Sequence, residues 1–283
     1  MRLVDSHCHL QSDRFRRDVE LVIGGARLAG VERILVPGWN IASCAAALAL
    51  VDQFPWLDPA VGVHPHEAAN VDDSGWASVE RLAEDERVVA IGETGLDFDR
   101  VFSSVEAQLD NLRRNLALAV ARGKPAILHC RSAAGRRDAQ DALLVELRMA
   151  GLGSPAARAA FGGRPQAVIH SYSGSADFAE AVLQMGLAIS FSGLVFRPGE
   201  EPSGDVASMV PRDRLLVETD APFLSPPGAP RGRNEPEWVR LTGAWLAERR
   251  GVDEDELGNS LVAAYDRTFR TSAPRLTAAE RTG

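Results

Sequence analysis

Lysine is almost absent from this chain of 283 residues: 31 residues are basic, and Lys124 alone among them is not arginine. An enzyme that works through a Schiff base needs a lysine in its site, as does a binuclear barrel hydrolase whose metals share a carboxylated lysine. Lys124 precedes Pro125 at the start of a predicted strand, far from any site built on strand C-termini, so neither chemistry is expected. Cysteine is scarce too. Cys8, Cys44 and Cys130 are too few and too scattered for a disulfide framework, which suits a reducing compartment. The longest apolar run, "IASCAAALALV", is too short to span a bilayer, and a strand beginning at residue 2 leaves no room for a signal peptide. These absences predict a cytoplasmic protein with no membrane partner. An excess of basic charge is also missing. The net charge of −8 argues against coating long nucleic acid by charge alone, but not against gripping a strand end through metal ions and a few arginines.

What is present is a regular alternation. Short β-branched runs recur: "RLVDSH", "VERILVPG", "LDPAVGVHP", "RVVAIGETG", "KPAILHC", "QAVIHS", "LAISFSG" and "RLLVETD". They are apolar throughout for a few residues, as in parallel strands covered on both faces. Between them lie helical stretches, such as "VEAQLDNLRRNLALAVARG", with apolar residues at three- and four-residue spacing and a closing glycine. Eight strand-plus-helix units predict a single-domain α/β fold, a (β/α)₈ TIM barrel with its active site at the C-terminal ends of the strands. An open doubly wound sheet would show a Gly-rich phosphate loop after its first strand, and "DSHCHLQSD" is not one. The domain is expected over residues 1–270, with a poorly ordered tail at 271–283. Residues 151–165 read as an insertion with a short helix that could reshape a substrate groove.

The polar residues fall where that frame makes them meaningful. His7 and His9 end the first strand, two apart and so on one side of it; alone, the pair fits a metal site or a polar strand end equally. His64 ends the third, Glu93 the fourth, His129 the fifth, His170 the sixth and Asp220 the eighth. Five of the six histidines thus collect at strand C-termini, which turns the reading toward a metal site. Four imidazoles and two carboxylates suit two borderline divalent ions sharing a carboxylate, and with Lys124 excluded Glu93 is the natural bridge. Such a pair clamps the attacking and leaving oxygens of a hydrolysis and supplies hydroxide near neutral pH, while Asp220 would orient the water and accept its proton.

The stretches "DSHCHL", "GVHPH", "GETGLDF", the Gln108 helix leading to "GKPAILHCRSA", "VIHSYSG", "ISFSG", "LLVETDAPFLSP" and "RNEP" closely resemble the TatD family of metal-dependent deoxyribonucleases, a branch of the amidohydrolase-like TIM barrels. The resemblance runs from residue 2 to about residue 269, in family order. It implies that His7, His9, Glu93 and Asp220 hold one ion, that Glu93, His129 and His170 hold a second, and that Mg²⁺, Mn²⁺ or Zn²⁺ serves. By the same resemblance His64 sits beside the site and contacts phosphate or its water, and the substrate is a DNA end trimmed 3′→5′. Arg131, two residues after His129, reads as a phosphate clamp, since a guanidinium pairs two phosphate oxygens. The expected catalytic residues are therefore Asp220, Glu93 and His64, with His64 and Arg131 binding substrate and no obligatory protein partner. The alternatives are a D-aminoacyl-tRNA deacylase or another ester or amide hydrolase on the same ligands, and a non-catalytic metal-binding scaffold. Leu112 departs from an aromatic common in the family's fourth helix, which concerns packing.

Neighbouring residues carry weaker signals. Cys8 and Cys130 read as buried small hydrophobes rather than ligands, by strand alternation. His66 reads as a loop residue, Glu218 as a support for a ligand, and Asp97 as either a support or a turn residue. Arg197, Arg231 and Arg233 are open between substrate phosphate and solvent. Asn234 and Glu235 would fix their loop near Asp220, and Trp39 would pack on the first helix rather than stack on a base.

Overall fold

The structure is a computed structural model that describes residues 1–230 and 232–269. Its eight strands are β1 (Leu3–Asp5), β2 (Val31–Pro37), β3 (Leu57–Val61), β4 (Ala90–Asp97), β5 (Ala126–Arg131), β6 (Ala167–Ile169), β7 (Ala188–Phe191) and β8 (Leu215–Val217). They lie in one sheet in sequence order, each parallel to the next. The seam between β8 and β1 closes through single backbone hydrogen bonds: Ser6 N donates to Val217 O (3.0 Å), Asp220 N to His7 O (2.9 Å) and His9 N to Ala221 O (2.7 Å). The barrel is therefore nearly closed, and three residues expected at the site hold its last joint.

Ten α-helices alternate with the strands among the described residues: α1 (Val19–Leu28), α2 (Ile41–Gln53), α3 (Asp73–Leu82), α4 (Val105–Arg122), α5 (Asp138–Met149), α6 (Pro155–Ala160), α7 (Ala176–Gln184), α8 (Ser203–Met209), α9 (Val239–Arg250) and α10 (Glu254–Phe269). Local chemistry sets their ends. Ser104 accepts from Ala107 N to start α4, and Gly123, at φ 60°, ends it in the left-handed conformation that glycine adopts without strain. Asn40 and Ser43 exchange hydrogen bonds across the first turn of α2. Strand residues are buried almost throughout, with only His129 and Arg131 in β5 partly exposed, as the continuous apolar runs predict. A buried polar cluster ties α10 to the barrel floor: Arg33 pairs with Asp58 through Nε (2.6 Å), and Tyr265 Oη donates to Asp58 Oδ2 (2.8 Å). Leu112 is buried in the core against the barrel wall.

Two features differ from expectation. Helix α8 was not foreseen, because "EPSGDVASMVPRD" is rich in proline, glycine and serine and too short to show a period. Residues 151–165, with α6, lead into the N-terminal end of β6, so they lie at the rim opposite the strand C-termini and line no part of the large cleft there. The tail at 271–283 and Arg231 fall outside the described residues. No helix among the described residues is long and apolar enough to cross a membrane.

Candidate metal centre

The C-terminal ends of the strands open into a cleft of about 1370 Å³. Its floor is built from residues on or just beyond six strands. Glu93 and His129 lie on β4 and β5; His7 and His9 follow β1, His64 follows β3, His170 follows β6 and Asp220 follows β8. All seven side chains converge. Glu93 is the centre, and its two oxygens divide the rest. Oε2 faces His7 Nε2 (3.2 Å) and His9 Nε2 (3.5 Å), and Asp220 Oδ1 lies 3.8 and 3.5 Å from the same two nitrogens. Oε1 faces His170 Nε2 (2.8 Å), His64 Nε2 (3.2 Å) and His129 Nδ1 (3.4 Å).

This spacing fits metal ions. Four ligand atoms at roughly 2.0–2.2 Å around a tetrahedral ion lie about 3.4 Å from one another. His7 Nε2 and His9 Nε2 point at each other across 3.2 Å, an arrangement two lone pairs adopt only with a proton or a cation between them. Three overlapping groups bring such atoms within 4.8 Å of one another: His7 with His9 and Asp220, His7 with Glu93 and His170, and His64 with Glu93 and His129.

Partners behind the ligands decide which nitrogen each imidazole presents. His170 Nδ1 meets Glu218 Oε1 at 3.3 Å, His129 Nε2 meets Asp97 Oδ2 at 3.3 Å and His9 Nδ1 meets Pro37 O at 3.3 Å. Each of those nitrogens faces an oxygen acceptor, so in the neutral ring it keeps the proton and the nitrogen facing Glu93 or Asp220 offers its lone pair to a cation. Without a cation, that nitrogen shares a proton with the carboxylate, as His170 Nε2 does with Glu93 Oε1 at 2.8 Å. His64 is the reverse. Its Nδ1 accepts from His66 N (3.1 Å), so the proton sits on Nε2, aimed at Glu93. Although close enough to be a ligand, His64 is arranged as a donor. Burial also pushes its pKa down to about 4, which keeps the ring neutral.

Electrostatics agree with a cation site that imidazoles now screen. Burial alone would raise the Glu93 carboxyl, yet the imidazoles of His64, His170, His7 and His129 hold it well below the ordinary carboxylate range. Asp220 is likewise lowered against its burial by His9, His7 and His170. Burial lowers His7, whereas in His170 and His9 the neighbouring carboxylates outweigh burial and raise the pKa. His7 Nδ1 is buried with no hydrogen-bond partner.

Several residues sit differently from their sequence reading. His66 is joined to the centre, its Nε2 bonded to Asp97 Oδ2 at 2.8 Å. Asp97 fills both roles that were open: Oδ2 serves His66 and His129, while Oδ1 accepts from Asp99 N and Arg100 N in a turn. Trp39 lines the cleft and meets the His9 ring edge-on at 5.2 Å. Arg197 and Arg131 both line the cleft; Arg131 Nε is paired with Asp99 at 2.9 Å. Arg233 is occupied by Asp18 (2.6 Å) and Glu235 (2.9 Å), away from the cleft. Asn234 Nδ2 bonds Thr219 O (2.9 Å), which fixes its loop beside Asp220 as expected. Cys8 and Cys130 are buried, and burial raises both thiols, so neither offers a thiolate. Lys124 bonds Ala83 O and Asp85 O before β5, at the far rim.

Other contributors have no sequence signal of their own. Asp5 accepts from His7 N (3.2 Å), Thr219 N (3.0 Å) and Thr219 Oγ1 (2.5 Å), stitching β1 to β8 under the histidines. Gln108 clamps the end of β4 by accepting from Asp97 N (2.8 Å) and donating to Asp97 O (3.0 Å).

Comparison with known proteins yields consistent matches. The family described as TatD related DNase matches residues 4–270. A protein of Bacillus subtilis named an uncharacterized metal-dependent hydrolase, YabD, is 32% identical over 269 residues, covering 95% of this chain and 99% of its own length. The 3′-5′ ssDNA/RNA exonuclease TatD of Dickeya dadantii is 35% identical over 280 residues, covering 95% and 98%. Among solved structures, the TatD homologue YJJV of Escherichia coli superposes with a TM-score of 0.84 at 31% identity, covering 95% of this chain and 98% of that one.

Proposed function

The chain belongs to the TatD-related DNase family, and on that premise we propose that it is a metal-dependent 3′→5′ exonuclease of single-stranded DNA ends that uses two divalent ions. One observation carries the reading: Glu93 turns one oxygen to His7 and His9 and the other to His129 and His170, at the floor of a cleft of about 1370 Å³. We assign one ion to His7, His9, Glu93 and Asp220 and the other to Glu93, His129 and His170, with Mg²⁺, Mn²⁺ or Zn²⁺ all compatible with such a donor set. Bound there, divalent ions would draw charge from the scissile phosphate and make water a nucleophile near neutral pH.

The chain's own groups do the rest. Asp220 reaches the cleft from β8, and its depressed pKa keeps it ionised, ready to take the proton from the attacking water. His64 aims Nε2–H at the centre and donates to a phosphate oxygen. Arg131, half exposed beside it, pairs with the phosphate once it turns from Asp99. We read residues 1–270 as one domain, and three free buried thiols suit the cytoplasm.

The test uses metal-stripped protein, single-stranded DNA labelled at its 5′ end, and Mg²⁺, Mn²⁺ or Zn²⁺ added back, with Asp220→Asn alongside. The expected result is a ladder shortening from the 3′ end, abolished by EDTA and reduced about 10²- to 10⁴-fold in the variant. Stoichiometric metal binding without cleavage under any ion would overturn it and leave an aminoacyl ester as the substrate to try.

A further inference from the structure

A second cavity, of about 200 Å³, opens at the opposite rim, between the segments that enter β6, β7 and β8. Four arginines line it, Arg158, Arg164, Arg214 and Arg267, against a single carboxylate, Asp213. In a protein of net charge −8 this is a local reversal of sign. Asp213 offsets only part of it, pairing with Arg214 Nε at 3.9 Å and Arg267 Nε at 3.6 Å, too far for a hydrogen bond and one negative charge against four positive.

The guanidiniums are held by carbonyls instead. Arg214 donates to Leu183 O (2.7 Å), Arg158 to Gln184 O (2.5 Å) and Gly153 O (3.1 Å), Arg267 to Gly163 O (2.7 Å), and Arg164 commits all three nitrogens, to Phe161 O (3.1 Å), Thr268 O (3.3 Å) and Gly123 O (3.1 Å). Leu183 and Gln184 end α7, whose partial negative pole offsets part of the charge. A guanidinium has five N–H donors, however, and Arg214 and Arg267 each commit one nitrogen to a carbonyl. Gln166 also belongs to the cavity wall. It is 1% exposed, its Oε1 accepts from Gly153 N (2.8 Å), and its Nε2 has no partner. A buried amide donor left unpaired beside converging guanidiniums is a site short of an acceptor.

We propose that this cavity binds a tetrahedral oxyanion: free phosphate, or the phosphate end of a nucleotide whose remainder stays in solvent. Its volume lies below the roughly 300–1,000 Å³ of pockets that enclose whole small molecules, and the forked guanidinium is shaped for phosphate oxygens. The site is independent of the hydrolase reading. It also gives residues 151–165 a role, since α6 carries Arg158 and the following turn carries Gly163 and Arg164 to the cavity wall.

Titration calorimetry with inorganic phosphate and with a nucleoside 5′-monophosphate, on the full chain with and without EDTA, tests this. Binding near about 1 mM or tighter, unchanged by EDTA, is expected for at least one probe; equal affinity identifies phosphate alone as what is read, and tighter nucleotide binding identifies the nucleotide. Arg214→Gln and Arg267→Gln should each weaken it about tenfold, while Asp213→Asn should tighten it by about threefold or more. Asp213→Asn separates this role from simple helix capping, which would leave binding unmoved. Melting curves without phosphate check that each variant folds. No binding up to about 10 mM, loss of binding with EDTA, or indifference to both arginine substitutions would overturn the site.

Discussion

Glu218 shows how much of the centre depends on a residue that need not touch substrate. It is fully buried and receives four donors: Ser171 N (2.6 Å), Ser190 Oγ (2.6 Å), Ser6 Oγ (3.2 Å) and His170 Nδ1 (3.3 Å). A carboxylate satisfies all four; an amide replaces one acceptor with two more donors. Glu218→Gln should therefore lower metal affinity about 10- to 100-fold, read by calorimetry with Mn²⁺, while the fold persists by circular dichroism. Unchanged affinity would show that His170 keeps its orientation without the carboxylate. Asp97 makes a prediction about pH. Burial would raise its carboxyl, but hydrogen bonds from His129, His66 and Arg100 N hold it well below the ordinary range. The folded state thus resists protonating it while the unfolded chain does not. Its contribution is present above the unfolded value, about pH 4, and is lost as pH falls. Wild-type protein should lose more melting temperature than Asp97→Asn between about pH 6 and about pH 3; parallel curves would refute this.

At the scale of elements, the contact between β4 and β5 sets the distance from Glu93 to His129. Gly95, at φ 135°, faces the β5 backbone so closely that a Cβ there would stand 1.9 Å from His129 O. Gly95→Ala must push the strands apart and also hold alanine in a conformation it resists. The expected cost is at least about 3 kcal/mol, measured by urea unfolding, with metal affinity falling in whatever protein still folds. The β1–β8 seam couples fold and site in the same way. Asp220 sits at φ 55°, a strained value for a side-chain-bearing residue, held there by its bond to His7 O and by the Asn234 loop behind it.

Over the whole molecule, charge is sorted rather than uniform. The cleft floor gathers carboxylates around imidazoles, and its walls carry Arg14, Arg100, Arg131, Arg136 and Arg197 interleaved with Glu67, Asp99 and Glu200, in a chain of net charge −8. The cleft offers a strand's phosphates a set of arginines around the candidate centre, while the net negative charge of the chain disfavours non-specific binding to nucleic acid. Arg197→Gln should weaken single-stranded DNA binding and reduce the slope of log affinity against log salt by about 1, measured by fluorescence anisotropy in Mg²⁺ with the Asp220→Asn background blocking cleavage. No change in slope would place Arg197 outside the strand's path.

The barrel and the convergence of ligands were legible in the chain because both are local patterns repeated in order. A few apolar residues followed by a helical period make each strand-plus-helix unit, and a histidine or acid closing six of the eight strands must arrive at one rim once the strands are parallel. Family likeness in short motifs added the proposal that Glu93 is shared between two ions. What only the tertiary structure decided are contacts between residues distant in sequence: Asp5 with Thr219, Glu218 with His170, Gln108 with the end of β4, and His66 with His129 through Asp97. The same holds for the arginines at the far rim, which come from α6, α10 and the turns before β6 and β8. No local period records such pairs. They exist because barrel closure brings strand ends and helix ends within hydrogen-bond distance, and burial then obliges each polar group to find a partner.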